Sequence, residues 1–116
     1  MLPTLPKPLL LAHRGASAYA PENTLAAFQL AMQQGAHGVE LDAKLSADGE
    51  VVVMHDASVD RTTDGRGKVN ELPLTALREL QAAGRFRDRF PNERIPTLVE
   101  VLETLGSQAL INIELT

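Results

Sequence analysis

The sequence contains no cysteine and no tryptophan among its 116 residues. The absence of cysteine excludes a disulfide framework and a metal site built from thiolates, and no other feature of the composition indicates an oxidising compartment. A cytoplasmic location is therefore what we expect. The sequence also lacks an apolar stretch long enough to span a bilayer, and its first residues lack the features of a signal peptide. We expect no stable insertion into a membrane.

Basic residues are in the minority, since 11 Lys and Arg stand against 15 Asp and Glu, for a formal net charge of −4. Phosphate backbones are bound mainly through basic surface, so this balance argues against nucleic acid as a partner. Hydrophobic residues make up 44% of the chain, which is enough for one modest core. We expect residues 1–7 to be a flexible, proline-containing leader and residues 8–116 to form one domain.

Hydrophobic spacing predicts four strands. The apolar run at 9–12 is typical of a strand buried on both faces, and "VELDAKL" at 39–45 alternates as a half-buried strand does. The segments at 50–56 and 109–115, "EVVVMHD" and "ALINIEL", predict the third and fourth strands. The polar, glycine-rich run at 60–70 predicts a loop.

Helical spacing fills much of the sequence between these strands. One helix is expected in "PENTLAAFQLAMQQG" at 21–35, and a second begins at Pro73 and is expected to end near Gly84. Thr97 and Glu100 form a capping box that begins the last helix. Strands separated by helices are typical of βα units and a parallel sheet.

The turn between the second and third strands has two interpretations. The Asp-Gly pair at 48–49 is a hairpin signal, which favours antiparallel strands, whereas the alternation of elements favours parallel ones. A hairpin that pairs residues 47 and 50 places Asp42 opposite His55. In a parallel arrangement both residues lie at carboxyl ends of strands, so either arrangement brings the two side chains together.

Ionisable residues lie at or near the end of every predicted strand. They are His13 and Arg14, Glu40 and Asp42, His55 and Asp56, and Glu114. Ligands of parallel α/β folds bind at that edge of the sheet, although each residue alone has a plain explanation as a solvated strand end. Glu114 is the hardest to explain as a solvated strand end, because burying a carboxylate in a strand costs free energy unless it is paired or bound to a cation.

The combination of these residues indicates phosphate chemistry. Three carboxylates on neighbouring strands suit a hard cation such as Mg²⁺ or Ca²⁺, and two histidines beside them can divide general acid and general base catalysis. Arg14 offers a fork of donors that suits a phosphate. An anionic phosphoester uses all of these groups. His37, which precedes the second strand, is interpreted as a surface or helix-cap histidine outside the site.

Five segments, taken together and in order, resemble a known family. They are "LLAHRGASAYAPENTLAAF", "GVELDAKLSADGEVVVMHD", "DRTTDGRGKV", "IPTLVEVLE" and "INIEL". From Leu9 onward the chain resembles the amino-terminal half of the glycerophosphodiester phosphodiesterase family. The resemblance implies an α/β fold of the (β/α)8 TIM-barrel type. Because such a barrel needs roughly 200 residues or more, this chain is expected to supply about the first half, with four strands.

The resemblance also implies an activity and roles for residues. The implied reaction is metal-dependent hydrolysis of a small-molecule glycerophosphodiester to glycerol 3-phosphate and an alcohol, with Mg²⁺ or Ca²⁺ as the cation. His13 and His55 correspond to the acid–base pair, and Arg14 to the phosphate contact. The implied metal ligands are Glu40, Asp42 and Glu114.

Two other functions stay open beside this one. The first is a non-catalytic module that binds a cation or glycerophosphate. The second is a related barrel enzyme, similar to phospholipase D, that acts on choline-bearing lipids; the acidic composition counts mildly against it. Four strands leave open sheet edges, so self-association through these edges is also expected.

Overall fold

The computed structural model describes residues 10–116, so the expected leader at 1–7 lies outside the described residues. The strands are β1 (Leu11–His13), β2 (Gly38–Leu45), β3 (Val51–Val53) and β4 (Leu110–Leu115), and the helices are α1 (Leu25–Gln33), α2 (Leu74–Glu79) and α3 (Leu98–Leu105). Short 3-10 segments lie at Val69–Glu71, Gly84–Phe86 and Gly106–Gln108. Within the described range, none of the helices combines the length and apolarity that crossing a membrane requires.

The predicted sheet of four strands is confirmed, and β2 lies at its centre. β1 runs parallel to β2 and pairs residues 11–13 with 38–40. β4 also runs parallel to β2, on the opposite edge, and pairs residues 110–115 with 38–43. α1 connects β1 to β2, and α3 precedes β4, so the parallel strands are linked through helices as the alternating pattern predicts.

The connection from β2 to β3 is a hairpin, which answers the question that the sequence left open. Ala43 pairs with both Val53 of β3 and Leu115 of β4, so β3 lies on the edge of β2 opposite β4. It therefore continues the edge that β1 occupies. The Asp-Gly turn signal outweighs the alternation of elements here, and the parallel part of the sheet consists of β1, β2 and β4.

The hairpin loop is one residue longer than the turn signal predicts. The bond that closes the loop joins residues 46 and 50 at 2.9 Å, so three residues lie between them, and the third is a glycine with a φ of 81°. The predicted pairing of Asp42 with His55 is therefore wrong by one residue. Met54 lies opposite Asp42, and its amide donates to the Asp42 carbonyl at 2.9 Å.

The core forms where α1 and α3 pack on one face of β2. That face carries Val39, Leu41 and Ala43, all at most 2% exposed, and Phe28 of α1 is fully buried against them. Burying a side chain of this size contributes roughly 1.5–3 kcal/mol. The predicted alternation in β2 is confirmed, and it leaves the even-numbered residues of β2 on the opposite face.

β1 and β4 are more exposed than their apolar sequences predict. The residues of β1 are half-buried or exposed, so the expectation of a strand buried on both faces is wrong. β4 is mostly exposed as well, and Leu115 is 80% exposed. The reason is topological, because within residues 10–116 each of these strands pairs with β2 alone.

α2 is shorter than its sequence predicts. It ends at Glu79 rather than near Gly84, because Leu80 adopts an extended conformation with a ψ of 139°. Two residues further on, the Ala82 amide donates to the Glu93 carbonyl at 2.9 Å. This tertiary hydrogen bond holds the chain away from the path of a continued helix.

Candidate active site

A sharp turn follows β1 and places the first site residues. The chain turns with φ values of 57° at Arg14 and 79° at Gly15. A Cβ on residue 15 would lie 2.7 Å from the backbone of Ala27 in α1, so this position requires glycine. A non-glycine residue in the left-handed region stores strain of the kind found at functional turns. Here the turn places the Arg14 side chain beside Asp42, with 3.6 Å between Nε and Oδ2.

The P-E-N-T segment begins α1 and adds two side chains to the site. Thr24 is the N-cap, and its hydroxyl accepts from an amide of the first turn at 3.3 Å. Asn23 donates from Nδ2 to Asp42 Oδ2 at 3.1 Å, and both residues are buried. Glu22 forms an ion pair with Arg14 at 3.4 Å. Neither Asn23 nor Glu22 was predicted as a site residue from the sequence, although both lie in the P-E-N-T segment, which begins a helix after the site's first turn.

Three carboxylates converge near the carboxyl ends of the parallel strands. Glu40 and Asp42 share one face of β2, and Glu114 lies directly across from Asp42 on β4. One oxygen from each carboxylate lies within 4.8 Å of the other two. The structure thus brings the predicted cluster together. The premise that Glu114 lies in a buried strand is wrong, since its side chain is exposed on the outer strand of the sheet.

Unpartnered polar atoms mark this cluster. Among residues 10–116, three buried side-chain atoms have no hydrogen-bond partner, and they are Arg14 Nε, Asn23 Oδ1 and Glu40 Oε1. All three residues belong to or contact the carboxylate cluster. Buried polar groups are normally satisfied, so a polar ligand is expected where several of them are not. Because the three carboxylates offer only oxygen ligands, they fit a hard divalent cation, whereas the Nε of Arg14 is a hydrogen-bond donor that suits an anion.

The electrostatics of the cluster agree with this interpretation. Burial, and then the neighbouring carboxylate of Asp42, raise the pKa of Glu40 above its usual value. His13 acts in the opposite direction, with its Nε2 3.6 Å from Glu40 Oε1. Like charges held this close disfavour ionisation unless positive charge offsets them.

The two predicted catalytic histidines approach from different segments. His13 ends β1 beside Glu40, and its side chain is 65% exposed. His55 follows β3, and its Nδ1 lies 2.8 Å from Asp56 Oδ1. It lines a small cleft together with Glu22 and other residues of the P-E-N-T segment. In the described part of the chain, the ion-pair contact of His55 is with Asp56 rather than with the carboxylate cluster.

His37 lies outside the carboxylate cluster, as predicted, but it does not cap a helix and instead has a structural role between strands. Its Nδ1 accepts from the Leu10 amide at 2.9 Å, and its own amide donates to the Leu10 carbonyl at 2.8 Å. Its carbonyl accepts from the Leu110 amide at 3.1 Å. His37 therefore joins the beginnings of the three parallel strands, away from the site.

Lys44 is a cation of the site that sequence reasoning missed. It follows Glu40 and Asp42 on the same face of β2, and its ammonium contacts the hydroxyl of Thr116 beyond the end of β4. It thus lies one step beyond the Asp42–Glu114 pair, toward the carboxyl ends of the strands. The alternation E-x-D-x-K at 40–44 was the signal that pointed to it.

The parallel strands, their helical connections and the charged carboxyl edge define part of a (β/α)8 barrel whose site suits phosphate chemistry. The sequence model of the glycerophosphoryl diester phosphodiesterase family matches residues 13–116. The chain belongs to this family.

Relatives of this family match the chain over part of their length. A glycerophosphodiester phosphodiesterase of Caldanaerobacter subterraneus is 51% identical over 110 residues, which are 94% of this chain and 45% of the relative. Glycerophosphodiester phosphodiesterase 1 of Homo sapiens is 52% identical over 94 residues, which are 79% of this chain and 28% of the relative. The chain therefore spans about half the length of the bacterial relative and a smaller share of the human one.

Solved structures of the family confirm the predicted partial barrel. The glycerophosphodiester phosphodiesterase of Agrobacterium tumefaciens matches with a TM-score of 0.89 and 47% identity, over 92% of this chain and 46% of that protein. A phosphodiesterase of Oleispira antarctica, crystallised with the product sn-glycerol-3-phosphate, matches with a TM-score of 0.90 and 44% identity, over 94% of this chain and 44% of that protein.

Proposed function

We propose that this chain carries the cation-binding, phosphate-binding and acid–base residues of an enzyme that hydrolyses glycerophosphodiesters to glycerol 3-phosphate and an alcohol. The observation that carries the proposal is a cluster of three carboxylates in which one oxygen, of Glu40, is buried without a hydrogen-bond partner, and two neighbouring residues, Arg14 and Asn23, also carry unpartnered buried polar atoms. The product complex of the Oleispira antarctica relative supports glycerol 3-phosphate as the ligand. The cysteine-free sequence agrees with the cytoplasm as its location.

The cation would be held by Glu40, Asp42 and Glu114. When bound, Mg²⁺ or Ca²⁺ supplies a Lewis acid that offsets charge on the phosphoryl oxygens. Asp42 is oriented for this role by the amide of Asn23, which holds one of its oxygens at 3.1 Å. Such outer hydrogen bonds fix the direction of a ligand atom.

Arg14 binds the phosphate in this proposal. Its guanidinium is held between Glu22 and Asp42, yet its Nε keeps an unpartnered hydrogen. A charged donor held in one orientation is well suited to a phosphate oxygen. Lys44 adds a second positive charge near the ends of β2 and β4, so the anion meets positive charge from two strands.

His13 and His55 move the protons. One imidazole takes the proton of the attacking nucleophile as its oxygen bonds to phosphorus. The other gives a proton to the alcohol oxygen as the bond between that oxygen and phosphorus breaks. The exposure of both rings leaves them accessible to a substrate, and either ring is suited to either role.

Binding of glycerol 3-phosphate tests this proposal on the 116-residue chain. We expect saturable binding in Mg²⁺ or Ca²⁺, measured by calorimetry, and its loss with a chelator. Arg14→Ala is expected to weaken binding about 10- to 100-fold, because a hydrogen bond to a charged group contributes about 1.5–3 kcal/mol. Arg87→Ala, at an exposed position, is the control and should leave the affinity unchanged.

The outcomes separate the alternatives. Binding that needs neither the cation nor Arg14 would contradict the proposed site. Binding without product release, in a completed barrel made by continuing this chain after residue 116 with the carboxyl-terminal part of the Agrobacterium tumefaciens relative, would instead favour the non-catalytic module. Release from lipid vesicles but not from soluble glycerophosphocholine would favour the lipid-hydrolysing enzyme.

Self-association of the 116-residue chain is expected through the outer edge of β4. Within the described residues this edge has no paired strand, and Ile113 and Leu115 are 37% and 80% exposed. Light scattering over a concentration series should show dimers or larger species, and Leu115→Lys should reduce them because a charge on an edge strand disfavours pairing. A monomer at every concentration would contradict the expectation.

A further inference from the structure

Arg61, in the polar loop after β3, joins two segments that are far apart in sequence. Its Nη1 and Nη2 donate to the two carboxylate oxygens of Glu22 at 2.8 and 2.9 Å. Its Nε and Nη2 donate to the two oxygens of Asp56 at 2.8 and 3.0 Å. Two bidentate pairs hold the guanidinium plane in a single orientation. Arg61 thereby ties the loop after β1 to the loop after β3.

Asp56, whose orientation is fixed by Arg61, also contacts the ring of His55. Its Oδ1 accepts from Arg61 and also lies 2.8 Å from Nδ1 of His55. An ionised carboxylate can only accept, so the hydrogen bond requires the hydrogen to be on Nδ1. Nε2 of His55 is then the nitrogen left for proton transfer with a substrate.

The charge states agree with this geometry. Hydrogen bonds from Arg61 hold the pKa of Asp56 well below its usual range, against the effect of burial and with the help of His55. Burial raises the pKa of Glu22, but the hydrogen bonds and charge of Arg61, together with the charge of Arg14, lower it by more. Both carboxylates therefore stay ionised at neutral pH, and both remain acceptors for Arg61.

We propose that Arg61 is a positioning residue, which acts through Asp56 to hold His55 with its hydrogen on Nδ1 and its Nε2 directed to the substrate. Through Glu22, which also pairs with Arg14, it sets the position of this histidine relative to the phosphate-binding arginine. The catalytic part of this inference rests on the proposed function. The tautomer of His55 does not, and it can be measured without any turnover.

If the ion pairs of Arg61 served only to stabilise the fold, replacing Arg61 would change stability and leave the His55 tautomer unchanged. The Arg61 side chain is 52% exposed, so water partly screens its ion pairs, and even this bidentate network is expected to contribute only a small part of the stability of the fold. Replacing Arg61 is therefore expected to leave the fold intact. Its effect should be seen in the state of the His55 ring.

The test is nitrogen NMR of the histidine rings in the 116-residue chain at a pH where they are neutral. In the parent, the two nitrogen shifts of His55 should report a hydrogen on Nδ1. In Arg61→Ala they should move toward a mixture of the two tautomers, and Asp56→Asn should produce a similar change. Arg61→Lys should restore little of the parent's Nδ1 tautomer, because an ammonium cannot form the four hydrogen bonds that the planar guanidinium makes.

Arg66→Ala is the matched control, since this exposed arginine lies in the same loop. In the completed barrel, Arg61→Ala should lower kcat about 10- to 100-fold, with KM changed by less than about threefold. Unchanged His55 shifts in both Arg61→Ala and Asp56→Asn would overturn the inference, whether or not the barrel turns over. If both substitutions change the His55 nitrogen shifts as expected but the completed barrel shows no activity, the proposed function is wrong and the positioning of His55 by Arg61 still holds.

Discussion

Replacing either His13 or His55 by alanine is expected to lower the rate of glycerol 3-phosphate release by about 100- to 10,000-fold. The reason is that, in the proposed function, each ring carries one of the two proton transfers. The rate is to be measured on a completed barrel, by which we mean this chain continued after residue 116 by the carboxyl-terminal part of the Agrobacterium tumefaciens relative. That relative superimposes on 92% of the chain.

The third histidine is the matched control. His37→Ala removes the side-chain hydrogen bond to the Leu10 amide at the other end of the strands, so it should lower the melting temperature and leave kcat within a few-fold of the parent. Binding of glycerol 3-phosphate should persist in all three variants, because the proposed site assigns the main phosphate contact to Arg14 rather than to either histidine. If His13→Ala and His55→Ala both turned over within a few-fold of the parent, the acid–base assignment would be wrong.

Asp42→Asn is expected to weaken binding of Mg²⁺ or Ca²⁺ by about 100-fold or more, because the charge of the oxygen ligands sets the affinity of such sites. Asp42 is the most buried of the three carboxylates, at 1% exposed, and it also faces Arg14. The substitution keeps the size of the side chain and removes its charge. Calorimetric titration of the 116-residue chain with each cation measures the effect.

The control for this variant is Asp88→Asn, which removes one charge from an exposed position. The two variants have the same net charge, so a difference between their cation affinities is due to the carboxylate cluster. Circular dichroism should show that both variants keep the parent's secondary structure. A cation affinity that is the same in Asp42→Asn and Asp88→Asn would show that Asp42 is not a ligand.

Local patterns predicted much of this fold, because the contacts they describe are short in sequence. The alternation in β2 predicted which side chains pack in the core, and the burial of Val39 and Leu41 confirms it. The capping box of Thr97 and Glu100 is formed at the beginning of α3, with both reciprocal hydrogen bonds present. Such features depend on residues a few positions apart, so they can be read from the sequence.

Features that depend on distant contacts were missed or wrong. The end of α2 is set by a hydrogen bond to Glu93, and the exposure of β4 by the number of strands beside it. The partners of Arg61 include Glu22, 39 residues earlier, and no periodicity connects the two. The same limit applies to the register of the hairpin, because a turn signal does not specify the length of its loop.

The candidate site shows the same division. Strand-end positions predicted Glu40, Asp42 and Glu114, and the structure brings them within 4.8 Å. The roles of these residues remain predictions. Asn23 emerged only from the structure, because its place beside Asp42 depends on how the loop after β1 meets β2. The alternation places Lys44 on the same face as Glu40 and Asp42, although it was not assigned to the site.

The most direct test of the account is release of glycerol 3-phosphate from glycerophosphocholine by the completed barrel, measured with Mg²⁺, with Ca²⁺ and with a chelator. We expect release that requires one of the cations and is lost in Asp42→Asn and in His13→Ala. A folded barrel that releases no product with either cation, or releases it equally well in the chelator, would contradict the account.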